Sequence, residues 1–168
     1  DYQMESIFFA FVVFFGWGVA DLFTTISSRK LNAYSATFWN YLFGTILLSL
    51  FIPFTLNDLA GLTLGNFVLN LILGVILLLG VVCFRSALIK GSSPVIVAIS
   101  ASYAVVITIL SLVFFKETLN VVQSLCVLLV FIGIFLSVFD LAKLSSGKLH
   151  FGKGGVLALF AALLWGIY

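Results

Sequence analysis

Residues 6–26 read SIFFAFVVFFGWGVADLFTTI, an apolar run that contains a single charged residue, Asp21. About 20 apolar residues in a helix are enough to cross the hydrocarbon core of a bilayer. The run follows the acidic residue Glu5 rather than a basic segment, and no small-residue cleavage pattern comes after it. It is therefore predicted to be a retained membrane-spanning helix and not a signal peptide.

The composition of the whole chain indicates the same environment. Of its 168 residues, 63% are hydrophobic and 8% are charged, and the mean hydropathy is +1.31. In soluble domains about a quarter of the residues are charged. The predicted partner of this chain's surface is therefore a lipid bilayer. The net charge of +2 and the dispersed basic residues give no support for a nucleic-acid partner.

Four further apolar runs follow the first, at residues 34–55, 66–88, 94–115 and 120–141. Each is predicted to be a helix, because backbone polar groups in lipid must be satisfied within the segment. The predicted fold class is all-α integral membrane. It consists of a five-helix unit over residues 6–141, a loop over 142–153 and the beginning of another apolar run over 154–168.

The basic residues lie almost entirely on one side of the predicted membrane. The opposite side contains Lys116 alone, whereas the first, third and fifth loops contain Arg29, Lys30, Arg85, Lys90, Lys143, Lys148 and Lys153. The positive-inside rule places these loops in the cytoplasm, including loop 142–153, and the N-terminus outside. The predicted location is the plasma membrane (the inner membrane of a cell). This strong bias argues against a five-helix carrier that pairs as an antiparallel homodimer.

The final run repeats a motif of the first run. Residues 162–168 read ALLWGIY and residues 14–20 read FFGWGVA, so Trp165 aligns with Trp17 and Gly166 with Gly18. A unit with five helices ends on the opposite side of the membrane from its start, so a tandem copy would be inverted, as in many secondary transporters. Residues 154–168 are therefore predicted to be the truncated first helix of a second, inverted repeat.

A longer pattern covers SALIKGSSPVIVAISASYAVVITILSLVFFKETLNVVQSLCVLLVFIGIFL, residues 86–136. A Ser-Pro pair enters the fourth run, Phe-Phe-Lys-Glu follows it, and Gln123 and Gly133 mark the fifth run. With the Trp-Gly pair of the first run, this order and spacing resembles the EamA domain of the drug/metabolite transporter superfamily, over nearly the whole chain. Two positions depart from the family pattern: Ala104 lies where Pro is frequent, and Asn40 where Arg is frequent.

The resemblance implies a ten-helix carrier of small metabolites, often an exporter of amino acids or related compounds. Its cavity would lie between two repeats that alternate access to the two sides of the membrane. The implied partners are a small-molecule solute, the second repeat of the same chain and, where an ion gradient drives transport, a coupling proton. Members of the family are often described with a cytoplasmic N-terminus, opposite to the charge count. The alternative function is a non-transporting membrane interaction or assembly protein.

Two charged residues within the runs are candidates for the solute pathway. Asp21 lies four residues after Trp17, so the two side chains share a helical face. A charge at the bilayer centre costs about 2.5–3.5 kcal/mol on insertion scales, which marks Asp21 as a candidate solute or proton site. It is also a candidate for a structural pair with Arg85 or an interfacial anchor. Arg85 is either a snorkelling anchor or a bidentate site for a carboxylate.

The other candidates for the pathway are uncharged: Trp17, Asn40, Tyr41, Ser100 and Tyr103. Trp17 lies mid-run, away from an interfacial belt, and faces either the cavity or lipid. Asn40 and Tyr41 need a polar partner in another helix or in the solute. Ser100 belongs to a stripe of small residues, for which helix packing is the alternative to a solute contact, and Tyr103 adds a hydroxyl beside it.

The sequence contains no motif for catalysis or metal binding. His150 is the single histidine and lies in a loop without a second His or Cys nearby. Glu117, in the short turn after the fourth run, is expected to cap a helix. The chain is therefore predicted not to be an enzyme and to require no cofactor or metal.

Overall fold

The computed structural model describes residues 2–54, 61–116, 118–138 and 152–168, and within these ranges every regular element is helical. The α-helices are α1 (Tyr2–Leu31), α2 (Ala33–Ser49), α3 (Leu64–Lys90), α4 (Ser93–Ser100), α5 (Tyr103–Phe114), α6 (Val121–Val138) and α7 (Lys153–Ile167). The predicted all-α membrane class is confirmed. Glu117, His150 and residues 142–151 of the predicted loop lie outside the described residues.

In the described part of the chain, three helical segments are long and apolar enough to cross a membrane: Met4–Leu31, Leu64–Lys90 and Ser93–Phe114, the last formed by α4 and α5 together. Helix α2 has 17 residues and is shorter than the run predicted over 34–55. Its last turn tightens, with Leu50 N–H donating to Leu47 O at 3.2 Å, and a 3₁₀ turn follows over Ile52–Phe54. Pro53 has no N–H to donate to the carbonyl of Ser49, four residues back, and its ring crowds that carbonyl, which explains the end of α2 at Ser49.

The run predicted as a single helix over 94–115 is divided, and that prediction is corrected. From Ser102 the backbone N–H groups donate to carbonyls three positions back, with Ser102 N–H on Ile99 O at 3.1 Å and Ala104 N–H on Ala101 O at 3.3 Å. Such a 3₁₀-type step separates α4 from α5. The break has no signal in the sequence, because the residues that form it include neither Pro nor Gly.

Helix α7 packs against α3, α4 and α5 through its small residues. Buried small residues recur along it at intervals of four: Gly154, Ala158, Ala162 and Gly166. A Cβ on Gly166 would lie 2.5 Å from Cβ of Val106, and one on Gly154 would lie 3.2 Å from the carbonyl oxygen of Ala87. In lipid, helices gain no hydrophobic drive from each other, so such close approach is what stabilises their association.

The same contacts give the direction of α7. Gly154, at its start, meets Gly91 just after α3, whereas Trp165, near its end, meets Gly80 in the middle of α3. Helices α3 and α7 are therefore antiparallel. The C-terminal ends of α1 and α3 and the N-terminal end of α7 meet at one end of the bundle, here called the basic end, which contains Arg29, Arg85, Lys90 and Lys153.

Arg29 connects α1 to the turn between α3 and α4 at the basic end. Its Nε donates to the carbonyl of Leu88 at 3.2 Å, and its Nη2 donates to the carbonyl of Gly91 at 3.2 Å and to Oγ of Ser93 at 3.0 Å. A cation is favourable at a helix C-terminus, where the last carbonyls lack partners within the helix. Arg29 therefore holds the ends of α1 and α3 together.

We expect Arg29→Gln to lower the thermal unfolding midpoint of the purified full-length protein by an amount equivalent to about 1 kcal/mol, because charge-assisted bonds to carbonyls are lost in a partly exposed site. The matched control is Lys30→Gln, which removes the same charge from the neighbouring exposed residue. It should shift the midpoint by an amount equivalent to less than about 0.5 kcal/mol. Equal shifts in the two variants would show that charge alone, and not the three bonds, matters at this end.

Candidate functional site

The basic end contains a polar junction between α1, α2 and α3. Arg85 of α3 is only 4% exposed, and its Nη1 donates to Oγ of Ser27 at 3.3 Å and to Oγ of Ser28 at 3.4 Å. Ser28 is completely buried. Tyr41, in the middle of α2, is within electrostatic range of Arg85 but forms no hydrogen bond with it. Of the predicted site residues, the structure places Arg85 in this junction.

Arg85 and Asp21 do not pair, which corrects the expected Asp21–Arg85 contact. Neither Asp21 nor Glu5, the acidic residues in the described ranges, forms an ion pair with Arg85, whose hydrogen bonds go to serine hydroxyls instead. The spacing explains the difference, since Ser27 and Ser28 lie about two turns beyond Asp21 on α1. The hydroxyls, and not the carboxylate, are level with Arg85.

Asp21 lies instead in a separate open groove beside α4. The groove has a volume of about 400 Å³ and is lined by Phe14, Phe15, Trp17, Gly18, Val19, Asp21 and Val97. Asp21 is half-buried, and its side chain brings a carboxylate into a lining that is otherwise apolar and aromatic. Trp17 and Asp21 therefore share a face, as their spacing predicts, and Val97 of α4 lies opposite them.

A third group of candidates lies at the break between α4 and α5. Ser100, the last residue of α4, is 3% exposed, and its Oγ has no hydrogen-bond partner in the described part of the chain. The indole Nε1 of Trp165 on α7 is also buried without a partner there. Tyr103 meets the Trp165 ring edge-on, with centroids 6.2 Å apart, and Phe84 lies 5.1 Å from that ring.

The structure does not bring all the sequence candidates together. Asn40 is exposed on α2, and Trp17 is 66% exposed in the groove on α1. Gly16, also on α1, does not pack closely on another helix in the described ranges, because no atom of another helix lies within 4 Å of a Cβ built on it. The candidates thus form three places: the junction at Arg85, the groove at Asp21 and the helix break at Ser100.

A comparison with protein families decides what kind of protein carries these features. The model of the EamA-like transporter family matches residues 4–139, which is most of the chain. The chain belongs to the EamA-like transporter family. It is therefore a membrane transporter of the drug/metabolite transporter superfamily. Neither a comparison with curated proteins nor one with solved structures returned a match.

Three residues that organise the site of this EamA-like chain are not evident from its sequence. Ser28 and Arg29 fall in a predicted loop, but both lie on α1, which extends to Leu31 and reaches α3. Trp165 stands out in the sequence only as half of a repeated Trp-Gly pair. The signal that was available for α7 is the Gly-xxx-Ala-xxx-Ala-xxx-Gly pattern from Gly154 to Gly166, which is typical of close helix packing in membranes.

Proposed function

We propose that this EamA-like transporter exports small metabolites, such as amino acids, across the plasma membrane. In this proposal the five-helix unit over residues 6–141 works with a second, inverted repeat of the same chain, which begins at residue 154. The two repeats alternate the access of a shared cavity to the two sides of the membrane. Family membership supports transport in general, and the arrangement of the helices supports this finer mechanism.

The direction of α7 is the observation that carries the proposal. Helix α1 ends at the basic end and α7 begins there, so the two helices run in opposite directions through the bundle. Their Trp-Gly pairs, at Trp17 and Trp165, align in sequence. Equivalent helices that run in opposite directions are what an inverted-topology repeat requires.

The break between α4 and α5 supports a solute site near Ser100 and Tyr103. Transporters commonly bind solutes where a membrane helix is discontinuous, because the interrupted backbone and nearby polar groups are open to a ligand. Here the break adjoins two buried polar atoms that lack partners among the described residues, Oγ of Ser100 and Nε1 of Trp165. We propose that a polar group of the solute satisfies them during part of the transport cycle, since an unsatisfied buried polar group costs about 1–3 kcal/mol.

Asp21 is the proposed site of proton coupling. It lies in the open groove with Trp17 and Val97, and its carboxylate has no ion-pair partner among the described residues. A carboxylate within a membrane helix is a default candidate for a proton relay. Binding and release of a proton there would change the charge of the groove between the two orientations of the carrier.

An efflux measurement on the full-length protein tests this function. Bacterial cells that express it are loaded with labelled amino acids, nucleosides or a cationic dye, and efflux is followed with and without a proton uncoupler. We expect one solute class to leave faster than from control cells, and the uncoupler to remove the difference. If a folded, membrane-inserted protein moves no solute of a broad panel in either direction, the exporter proposal fails and the interaction or assembly alternative replaces it.

A further inference from the structure

Arg85 has an unoccupied hydrogen-bonding edge although it is buried. Both bonds described for it leave from Nη1, toward Ser27 and Ser28. Its Nε is buried and has no partner in the described part of the chain. The edge formed by Nε and Nη2 is one of the edges through which a guanidinium binds a carboxylate or phosphate by two parallel bonds.

The charge of Arg85 also lacks a counter-charge within the described ranges. Glu5 and Asp21, the acidic side chains that the structure describes, do not pair with it, and its described partners are hydroxyls. Burying a cation without an anion costs several kcal/mol, and an anion in good geometry recovers much of that cost. Snorkelling does not account for this position, because Arg85 is 4% exposed, whereas Lys90, on the same helix and at the same end, is exposed.

We propose that Arg85, with Ser27 and Ser28, forms a binding site for an oxyanion of the transported solute, a carboxylate or a phosphate. This inference rests on the carrier function proposed above. The serine hydroxyls hold Nη1 of the guanidinium, so that its Nε–Nη2 edge is positioned to bind the anion.

The position of this site also gives the anion a role in transport. Arg85 belongs to α3, and its serine partners belong to α1. An anion bound here would neutralise a charge held between these two helices at the basic end. A ligand shifts a conformational equilibrium toward the state in which it makes more contacts. The bound solute would therefore favour the arrangement in which the C-terminal ends of α1 and α3 are close together.

The test uses the purified full-length protein in detergent. The thermal unfolding midpoint is measured against increasing sodium acetate or sodium phosphate, with sodium chloride at equal ionic strength as the reference. We expect acetate or phosphate to raise the midpoint of the unmodified protein and of Lys90→Gln, the control that removes a nearby exposed charge. Arg85→Gln should weaken the apparent affinity about tenfold or more, because the charge-assisted bonds are lost.

Equal responses of the unmodified protein and Arg85→Gln would overturn the proposal. If Arg85→Gln does not purify in a folded state, Arg85→Lys replaces it, because Lys keeps the charge but loses the planar edge. An unchanged response of Arg85→Lys would equally overturn the proposal. Weaker binding by either variant, with the Lys90→Gln response intact, supports it.

Two further comparisons show whether the anion is a lipid headgroup or a solute, and whether the oxyanion site or the carrier function has failed. Nanodiscs of phosphatidylglycerol and of phosphatidylcholine are compared. If only the anionic lipid raises the midpoint through Arg85, the site holds a lipid headgroup and the solute proposal is overturned. Anion binding that requires Arg85 in a protein without efflux would refute the transport function but keep the oxyanion site. Efflux by a protein whose anion binding does not require Arg85 would keep the transport function but refute the oxyanion site.

Discussion

Replacement of Gly166 by Leu is expected to prevent α7 from packing in the bundle. A single Cβ at this position would lie 2.5 Å from both Cβ and Cγ1 of Val106, and the Cβ of Val106 is fixed to the backbone of α5 and cannot rotate away. Overpacking of this kind costs about 1–3 kcal/mol and occasionally more, and the rest of the leucine side chain adds to the clash. We expect a cost of about 3 kcal/mol or more, seen as loss of the monodisperse peak in size-exclusion chromatography of the full-length protein.

The control for this variant is Gly74→Leu on α3. A Cβ at Gly74 would have no atom of another helix within 4 Å, and Gly74 is exposed. The same replacement there should leave the chromatographic peak and the yield unchanged. A stable, monodisperse Gly166→Leu protein would show that α7 does not approach Val106 of α5 closely at Gly166.

Substitution of Asp21 by Asn is expected to reduce efflux about tenfold or more at matched membrane abundance, which is the effect typical of removing a charged functional group. The change keeps the size and shape of the side chain but removes its charge and its ability to carry a proton. Asp21 forms no ion pair in the described ranges, so the fold should not depend on that charge. The measurement is initial efflux rate divided by the amount of protein in the membrane.

Glu5→Gln is the matched control, because it removes the same charge from the exposed beginning of α1. It should transport at the unmodified rate. Normal efflux in Asp21→Asn would place Asp21 outside the transport mechanism and leave it as an anchor of α1. A fall in abundance that accounts for the whole loss of efflux would indicate a structural role instead.

The sequence alone determined the lipid environment, the all-α fold class and the family of this protein. Long apolar runs with few charges require helices in lipid, because neither the side chains nor the backbone polar groups leave another stable choice. The order of Trp17, Pro94 and Gly133 along those runs was enough for the family resemblance, which the match over residues 4–139 confirms. These properties are local or additive along the chain, so they can be predicted without knowing which helices touch.

Pairing between distant residues was decided only by the tertiary structure. Asp21 and Arg85 were an attractive pair in sequence, yet the relative height of α1 and α3 places Ser27 and Ser28 against Arg85. The division of the fourth run at Ala101 likewise has no breaker residue to announce it. In a membrane, most apolar side chains suit lipid and protein neighbours almost equally. Hydrophobicity therefore cannot specify the register between helices, which depends on close contacts at small residues such as Gly154 and Gly166 and on a few buried hydrogen bonds.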